Sequence, residues 1–238
     1  MDLTGYLALG RGLGLQRTMA VLSNNIANVD STGFRRQDLL FAQDVERAGD
    51  PGTVTFGREQ GTLVDRREGS LRTTGGMLDL ALVGQGWFQV QTQEGERLTR
   101  GGRFSINDQG QLVTPQNALV LDQGGTPLSV PPTTQIISVA ADGTVSADAV
   151  VIGRIGVVQP SEDAALVPEG SGLYRPEGLL GPASDAKIIQ SSLEGSNVQP
   201  VLEMTRLIEV VRAFEGTQKL LETHHDLARR AVDRILEP

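Results

Sequence analysis

The first part of the chain carries apolar residues in a heptad pattern. They recur in steps of four and three at Leu15, Met19, Leu22 and Ile26. This spacing places the side chains along one face of an α-helix. Gly33 suits the left-handed position just after a helix end, so we expect the N-terminal helix to lie within residues 1–35.

A longer version of this pattern occupies the C-terminal part. Counted from residue 207 in alternate steps of four and three, seven of nine positions are apolar. A helix within residues 197–238 would be too long to be covered by an ordinary domain of this composition. Its natural partner is the N-terminal helix, and any apolar surface left over would face another subunit.

Between the two ends the pattern changes to short alternating runs separated by turn residues. Runs such as Leu78–Val83 and Trp87–Gln91 are typical of strands. They predict a compact all-β domain over residues 77–180. The flanking stretches 36–76 and 181–196 have weak periodicity, and we interpret them as extended linkers, with paired strands as the alternative.

These patterns together predict an α+β fold class. The long N- and C-terminal α-helices are expected to pair as a coiled-coil-like stalk. An extended linker would join the stalk to an inserted all-β domain.

Composition narrows the possible functions. The 238 residues include 21 basic and 29 acidic side chains, for a net charge of −8. Nucleic-acid binders need a basic face, so no nucleic-acid partner is expected. The chain has no cysteine, which excludes disulfides, thiolate nucleophiles and cysteine-ligated metals.

No apolar run approaches the roughly 20 residues of a membrane span, so no span is expected. Glycines interrupt residues 1–14, so no signal peptide is expected either.

Candidate catalytic and cofactor motifs are weak. Gly10–Gly14 begins like a nucleotide-binding loop, but Leu15 stands where the motif needs glycine. His224 and His225 are adjacent, so on a helix they point about 100° apart and cannot form the i,i+4 pair of a metal site. The chain also has no nucleophile elbow, HExxH or Walker motif. We therefore predict no catalytic, cofactor-binding or metal-binding residue, and no cofactor.

Three asparagines stand near the end of the N-terminal helix, at Asn24, Asn25 and Asn28. Asparagine is poor for helix formation because its side chain competes for backbone hydrogen bonds. One interpretation is a frayed helix end with its cap. The other is that the amides bind the departing backbone or a neighbouring chain and fix how the connection leaves the helix.

Several of these motifs resemble those of one known family, the flagellar rod and hook proteins of bacteria. The segments similar to its N-terminal signature are Asn24–Asn28 and Ser31–Arg35. The segments similar to its C-terminal signature are Ser196–Val198, Glu203–Met204 and Arg212–Glu215. Those that resemble the core of the rod subgroup are Gly84–Val90, Thr99–Phe104 and Asp108–Thr114. The resemblance covers nearly the whole chain.

The resemblance implies a non-enzymatic structural subunit of the flagellar basal-body rod, which crosses the periplasm and carries torque. It also implies export through the flagellar type III apparatus without a cleaved signal peptide. The expected partners are copies of the chain itself and other proximal and distal rod subunits. Chain length and the Arg212–Glu215 motif favour the proximal-rod subgroup.

The family architecture also implies a role for each segment. Residues 1–35 and 197–238 would form an inner helical domain, 77–180 an outer all-β domain, and 36–76 and 181–196 the outgoing and return linkers. An open helical assembly needs different surfaces that meet head to tail, and amphipathic helices supply them. We expect packing at the interface to involve Leu15, Met19, Leu22, Ile26, Leu207, Val211, Phe214, Leu221, Val232 and Ile235. Polar contacts that fix register are expected from Asn24, Asn25 and Asn28.

Four alternatives remain open. The chain could be a distal-rod subunit of the same family, or a non-flagellar adaptor whose helical stalk presents a β domain. A soluble dimer that pairs the two ends is a third alternative. An enzyme is the fourth, and it would require two carboxylates that converge on one bond.

Replacing both Phe214 and Leu221 by Asp should block assembly while the β domain stays folded, because the charges fall in the apolar stripe and not in the β domain. Assembly is measured by sedimentation, and β structure by circular dichroism. Loss of the β fold in the double variant would contradict the interpretation.

Overall fold

The computed structural model describes residues 3–48 and 52–236. The chain divides into two compact units. The first unit comprises Met1–Ala27, Gln37–Leu63 and Gln199–Pro238, and the second comprises Asn28–Arg36 and Val64–Val198. The chain therefore passes between the units at four points.

Two helices belong to the first unit, and they occur where the heptad patterns place them. Helix α1 spans Leu3–Ala27 and helix α2 spans Pro200–Leu236. The Asn25 side chain lies 3.1 Å from that of Glu203. A Cβ atom added at Gly12 would lie 3.9 Å from Cγ2 of Thr217. The end of α1 thus meets the start of α2, and the two helices run antiparallel.

A two-stranded ribbon completes the first unit. Strand β1 spans Gln37–Ala48 and pairs with β2, which spans Gly52–Val64. Strand β1 also packs against α1. Most of the stretch 36–76 is therefore paired strand, which is the alternative that the sequence left open.

The second unit is built from short strands. These are β3 (Leu71–Thr73), β4 (Leu80–Val83), β5 (Trp87–Thr92), β6 (Gly95–Thr99), β7 (Ser105–Ile106), β8 (Leu112–Val113), β9 (Leu119–Val120) and β10 (Ile137–Val139). They continue with β11 (Thr144–Ala147), β12 (Val150–Arg154), β13 (Val157–Pro160), β14 (Ala165–Gly170), β15 (Leu173–Glu177), β16 (Leu180–Pro182), β17 (Lys187–Gln190) and β18 (Ser192–Glu194).

These strands form one large sheet and three small ones. The large sheet has nine strands, seven of them in the order β14-β15-β6-β5-β9-β8-β7, and β13 joins β5 to β16. The small sheets are β10-β11-β12, β4-β17 and β3-β18. Within this unit, the strand pairs are antiparallel.

Apolar side chains of the second unit form two clusters. In the larger cluster, the rings of Phe88 and Phe104 meet edge to face with centroids 5.2 Å apart. The smaller cluster contains Trp87 and Tyr174, whose centroids are 5.0 Å apart. Trp87 and Phe88 are neighbours in β5, so they point to opposite faces of the sheet and enter different clusters.

The predicted fold class is wrong. We expected an α+β fold with long terminal helices paired as a coiled-coil-like stalk, an extended linker and an inserted all-β domain. The described residues instead contain only two helices and a large β-rich body, and a strand ribbon belongs to the helical unit. The β-rich body also takes in residues 28–36, which follow directly after α1.

The physical reason lies in the face that α2 turns inward. A coiled coil needs apolar side chains in an unbroken seam. The buried or half-buried residues of α2 instead include Glu203, Thr217 and His224, whereas the predicted seam residue Val211 is 37% exposed. Polar residues thus occupy much of the inner face, and part of the apolar pattern points outward.

The division into five segments with separate roles stays a prediction. Neither helix in the described part of the chain is long and apolar enough to cross a membrane.

Replacing Gly102 by Ala should destabilise the β-rich body by about 1–3 kcal/mol or more, because the new Cβ would lie 1.6 Å from the carbonyl oxygen of Leu80. Gly216 lies within α2, and apart from its own helix backbone no described part of the chain comes within 4 Å of an added Cβ. Gly216→Ala is the matched control and should stabilise the helix by roughly 0.5–1 kcal/mol. Urea denaturation measures both changes, and a neutral Gly102→Ala variant would contradict the packing.

Candidate functional site

The first unit contains a buried polar cluster centred on Asn25. Its Nδ2 donates to the backbone oxygen of Gln37 at 2.8 Å, and its Oδ1 accepts the backbone N–H of Gln37 at 3.0 Å. Nδ2 also donates to Oε2 of Glu203 at 3.1 Å. Asn25 stands at the end of α1, and its amide therefore links this helix to the first residue of β1 and to the first turn of α2.

Glu203 is fully buried, at 1% exposure. It lies in the first turn of α2, where the helix dipole favours a negative charge. Its Oε1 lies 3.6 Å from Nη1 of Arg206. A buried carboxylate is tolerated only where such partners compensate its desolvation, so its position is strongly specified.

The second unit contains a larger polar cluster around Glu194, a residue with no exposed surface. Its Oε1 lies 2.6 Å from Nη2 of Arg35, and its Oε2 accepts from Nε of Arg100 at 2.8 Å. Oε1 also accepts the backbone N–H of Gly69 at 2.8 Å. One carboxylate therefore holds two buried guanidinium groups.

The guanidinium of Arg100 is also held by backbone oxygens. It donates to Leu82 at 3.2 Å, to Gly84 at 2.9 Å and to Gly86. Burial lowers the pKa of Arg100, and the charge of Glu194 opposes that decrease. The residue thus fastens the segment between β4 and β5 to the strand that carries Glu194.

The turn after α1 fits against this cluster through Gly33. The N–H of Gly33 donates to the backbone oxygen of Glu194 at 2.8 Å. Its φ is +68°, and an added Cβ would lie 2.3 Å from the carbonyl carbon of Arg100. Both the left-handed conformation and the close approach require glycine here.

Asn197 joins its own segment to two others of the second unit. Its Oδ1 accepts the backbone N–H of Arg36 at 2.7 Å. Its Nδ2 donates to the backbone oxygens of Asp65 at 3.1 Å and of Arg67 at 2.8 Å. The side chain therefore satisfies backbone groups that no strand pairs, just before the chain enters α2.

Two aromatic residues cover the Arg35 side of the Glu194 cluster. The guanidinium carbon of Arg35 lies 6.0 Å from the ring centroid of Trp87, and the hydroxyl of Tyr174 accepts the backbone N–H of Arg35 at 3.2 Å. Burial raises the pKa of Tyr174, so the phenol stays protonated and neutral near pH 7. Arg35, Trp87 and Tyr174 are all buried, so this side of the cluster has little contact with solvent.

The predicted interface residues differ in how deeply they are buried. In α1, Leu22 is buried and Leu15, Met19 and Ile26 are half-buried. In α2, Leu207, Phe214 and Leu221 are half-buried, whereas Val211 is exposed. The side chains of Val232 and Ile235 lie outside the described residues. The role of all of these predicted interface residues in assembly stays a prediction.

The three predicted asparagines also differ from one another. Asn25 is fully buried in its cluster. Asn24 is exposed, and its amide donates to Oε1 of Gln37 at 3.4 Å. Asn28 is half-buried and accepts from Oγ of Ser31 at 2.9 Å. Asn25 thus binds the departing backbone, as one of the two interpretations of the sequence expected.

Sequence reasoning missed the buried charges. Arg35 and Arg100 stand inside motifs that the family resemblance used, but Glu194 does not, and their pairing was not foreseen. Glu203 and Thr217 were missed on α2, although with Val210 and His224 they recur every seven residues and line one helical face. The four residues differ in polarity, so their spacing is not visible in the apolar pattern alone.

Neither cluster has the form of a reaction site. The described part of the chain contains no group of three or more His, Asp or Glu residues placed to hold a metal ion. The charged groups of both clusters are hydrogen-bonded to other elements of their own unit. What the arrangement does is hold distant chain segments at fixed positions.

Three family models match separate parts of the chain. A flagellar basal-body rod model matches residues 14–35, and the FlgE/F/G D1 domain model of flagellar hook proteins matches residues 81–147. The C-terminal model of the basal-body rod FlgEFG proteins matches residues 189–234. Arg35, Arg100 and Glu194 come one from each matched segment.

Full-length relatives give the same result. The flagellar basal-body rod protein FlgF of Caulobacter vibrioides is 40% identical, over 99% of this chain and 98% of its own. FlgF of Mesorhizobium japonicum is 36% identical over 97% and 96%. FlgG of Agrobacterium fabrum is 32% identical over 91% and 94%.

The chain belongs to the family of flagellar basal-body rod proteins. It is a structural subunit of the rod, and it is FlgF-like, with relatives named FlgG also matching. The family that the sequence motifs indicated is thereby confirmed.

Replacing Glu194 by Ala should lower the free energy of unfolding by about 3–5 kcal/mol, because Arg35 and Arg100 would be left buried without their carboxylate. Glu162→Ala is the control, since Glu162 is exposed, and should change stability by less than about 0.5 kcal/mol. Urea denaturation with circular dichroism measures both. Equal stabilities for the two variants would contradict the assigned role of Glu194.

Proposed function

We propose that this rod subunit assembles with copies of itself and with other rod subunits through the outward faces of its two terminal helices. The observation that carries the proposal is an exposed apolar stripe on α2. Val201, Met204, Ile208 and Val211 are 74%, 51%, 54% and 37% exposed. They lie three, four and three residues apart, so they share one side of the helix.

Such a stripe favours a protein partner. Soluble monomers rarely expose a line of large apolar side chains, and those that do use it as an interaction site. Helix α1 supplies a second exposed apolar surface at Leu9 and Leu13, one helical turn apart. Two different surfaces are what a head-to-tail contact in an open helical assembly requires.

The residues turned toward the helix pair would act indirectly. We propose that Leu15, Met19, Leu22, Ile26, Leu207, Phe214 and Leu221 hold α1 and α2 together, which fixes the orientation of the exposed stripe. Asn25 would fix the register of the pair through Gln37 and Glu203. Torque would then pass between subunits through contacts whose geometry is rigid on each side.

The remaining features of the proposal rest on family membership. We propose export through the flagellar type III apparatus without a cleaved signal peptide, a place in the proximal rod, and no enzymatic activity. Relatives named FlgF are up to 40% identical to this chain, which supports a place in the proximal rod over one in the distal rod. The terminal segments 1–35 and 197–238 would be the parts that enter the assembly.

Replacing Ile208 by Asp should abolish swimming and incorporation into isolated basal bodies, because a charge would be buried in the new contact. The free energy of unfolding of the purified chain should change by less than about 0.5 kcal/mol, since the side chain is half exposed before assembly. Swimming in soft agar and immunoblots of basal bodies measure the effect in a strain that lacks the wild-type chain.

The matched control is Leu179→Asp, which makes the same change at a residue of the β-rich body that is 82% exposed. This variant should swim and incorporate normally. Normal assembly of Ile208→Asp, or an equal defect in the two variants, would overturn the proposed surface.

A further inference from the structure

The chain passes from the β-rich body to the helical unit between Arg36 and Gln37. Each of these two residues is held by an asparagine side chain of its own unit. The backbone N–H of Arg36 donates to Oδ1 of Asn197 at 2.7 Å. Asn25 binds both backbone groups of Gln37, the N–H at 3.0 Å and the oxygen at 2.8 Å. Two asparagines thus hold consecutive residues, one on each side of this 36–37 connection.

The peptide group that joins Arg36 to Gln37 is also bound at both of its polar atoms. Its oxygen, which belongs to Arg36, accepts the backbone N–H of Asp65 in the β-rich body at 2.8 Å. Its N–H, which belongs to Gln37, donates to Asn25 in the helical unit. All four backbone polar groups of the two residues are therefore hydrogen-bonded. Rotation of the backbone here would break these bonds and leave polar groups unpaired at the buried Asn25 and Gln37.

Asn197 also binds the chain where it returns from the helical unit. Strand β2 ends at Val64, and with this residue the chain re-enters the β-rich body. The Nδ2 of Asn197 donates to the backbone oxygens of Asp65 at 3.1 Å and of Arg67 at 2.8 Å. Asn197 itself stands one residue before Val198, after which the chain leaves the body again. One side chain therefore ties together the ends of three of the four connections.

We propose that Asn197 is a positioning residue which, together with Asn25, keeps the 36–37 connection from acting as a hinge. A hinge needs residues that can absorb large φ/ψ changes. Here no residue separates the two that are held, and all of their backbone polar groups are bound. This gives a role to the C-terminal motif Ser196–Val198. The use of this stiff connection in carrying torque rests on the assembly proposed above, whereas its stiffness is a property of the single subunit.

A buried thiol can report on Asn197 in the purified full-length chain. The chain has no cysteine and Val64 is 6% exposed, so Val64→Cys introduces one protected thiol. Maleimide should label it slowly. Adding Asn197→Ala should raise the labelling rate about tenfold, because the lost hydrogen bonds make local opening at the connections easier. A gel-shift assay with a high-mass maleimide measures the rate.

Asn107→Ala is the matched control. The Oδ1 of Asn107 also accepts two backbone N–H groups, those of Gln109 at 3.0 Å and Gln111 at 2.8 Å. These bonds lie within the turn between β7 and β8 and involve no connection between the units. The Val64→Cys thiol should therefore stay slow to label when Asn107 is replaced.

Swimming against load separates a positioning role from a purely stabilising one. In a strain that lacks the wild-type chain, Asn197→Ala should incorporate into basal bodies. Its swimming speed should nevertheless fall more steeply with the viscosity of the medium than that of Asn107→Ala. A role in stability alone would give the two variants the same dependence on viscosity. Ile208→Asp is scored on incorporation instead, so the assembly surface and the positioning role fail in different measurements.

Three results would overturn the proposal. The first is labelling of Val64→Cys, with Asn197 intact, as fast as labelling of Leu179→Cys at its 82% exposed position. The second is an equal labelling rate in the Asn197→Ala and Asn107→Ala variants, and the third is an equal dependence of their swimming on viscosity. The first result needs no change at Asn197, so it decides the matter even if Asn197→Ala folds poorly.

Discussion

The carboxylate of Glu194 is the interaction on which the β-rich body depends most. It is completely buried and binds two guanidinium groups whose own desolvation is costly. Arg100 precedes it by 94 residues, and Arg35 lies earlier still, in the turn after α1. None of the three charges can be buried alone, so the β-rich body folds fully only when the segments that carry Arg35, Arg100 and Glu194 are all in place. Apolar burial drives the collapse, and this cluster selects which segments meet.

Asn25 has the corresponding role in the helical unit. Its amide pairs with both backbone groups of Gln37 and reaches Glu203, 178 residues away. Apolar helix faces can slide by a turn at small cost, but a buried amide with fixed partners cannot. A rod subunit must present its contact surfaces in one geometry, and the register-fixing role that we propose for Asn25 between α1 and α2 would meet that requirement.

The mixed character of α2 explains an error in the predicted seam and agrees with the proposed assembly surface. The heptad stripe counted from Leu207 was expected to face α1, and it included Val211; only the apolar surface left over was expected to face another subunit. In the structure, polar Glu203 and Thr217 lie inside while Met204, Ile208 and Val211 lie outside. A helix with apolar residues on two sides has one side for its own chain and one for a neighbour, which is consistent with a subunit of a larger assembly.

The sequence by itself determined the two terminal helices, a minority of the strands, among them β4 and β5, and the family. Helical and strand periodicities are local, and Gly33 and the asparagine-rich motif are short signals that need no distant partner. Only the tertiary structure decided which face of α2 turns inward and which residues neutralise the buried charges. The reason is that residue type shows that a buried Arg35 or Glu194 needs a partner, but the identity of that partner depends on segments that approach through folding.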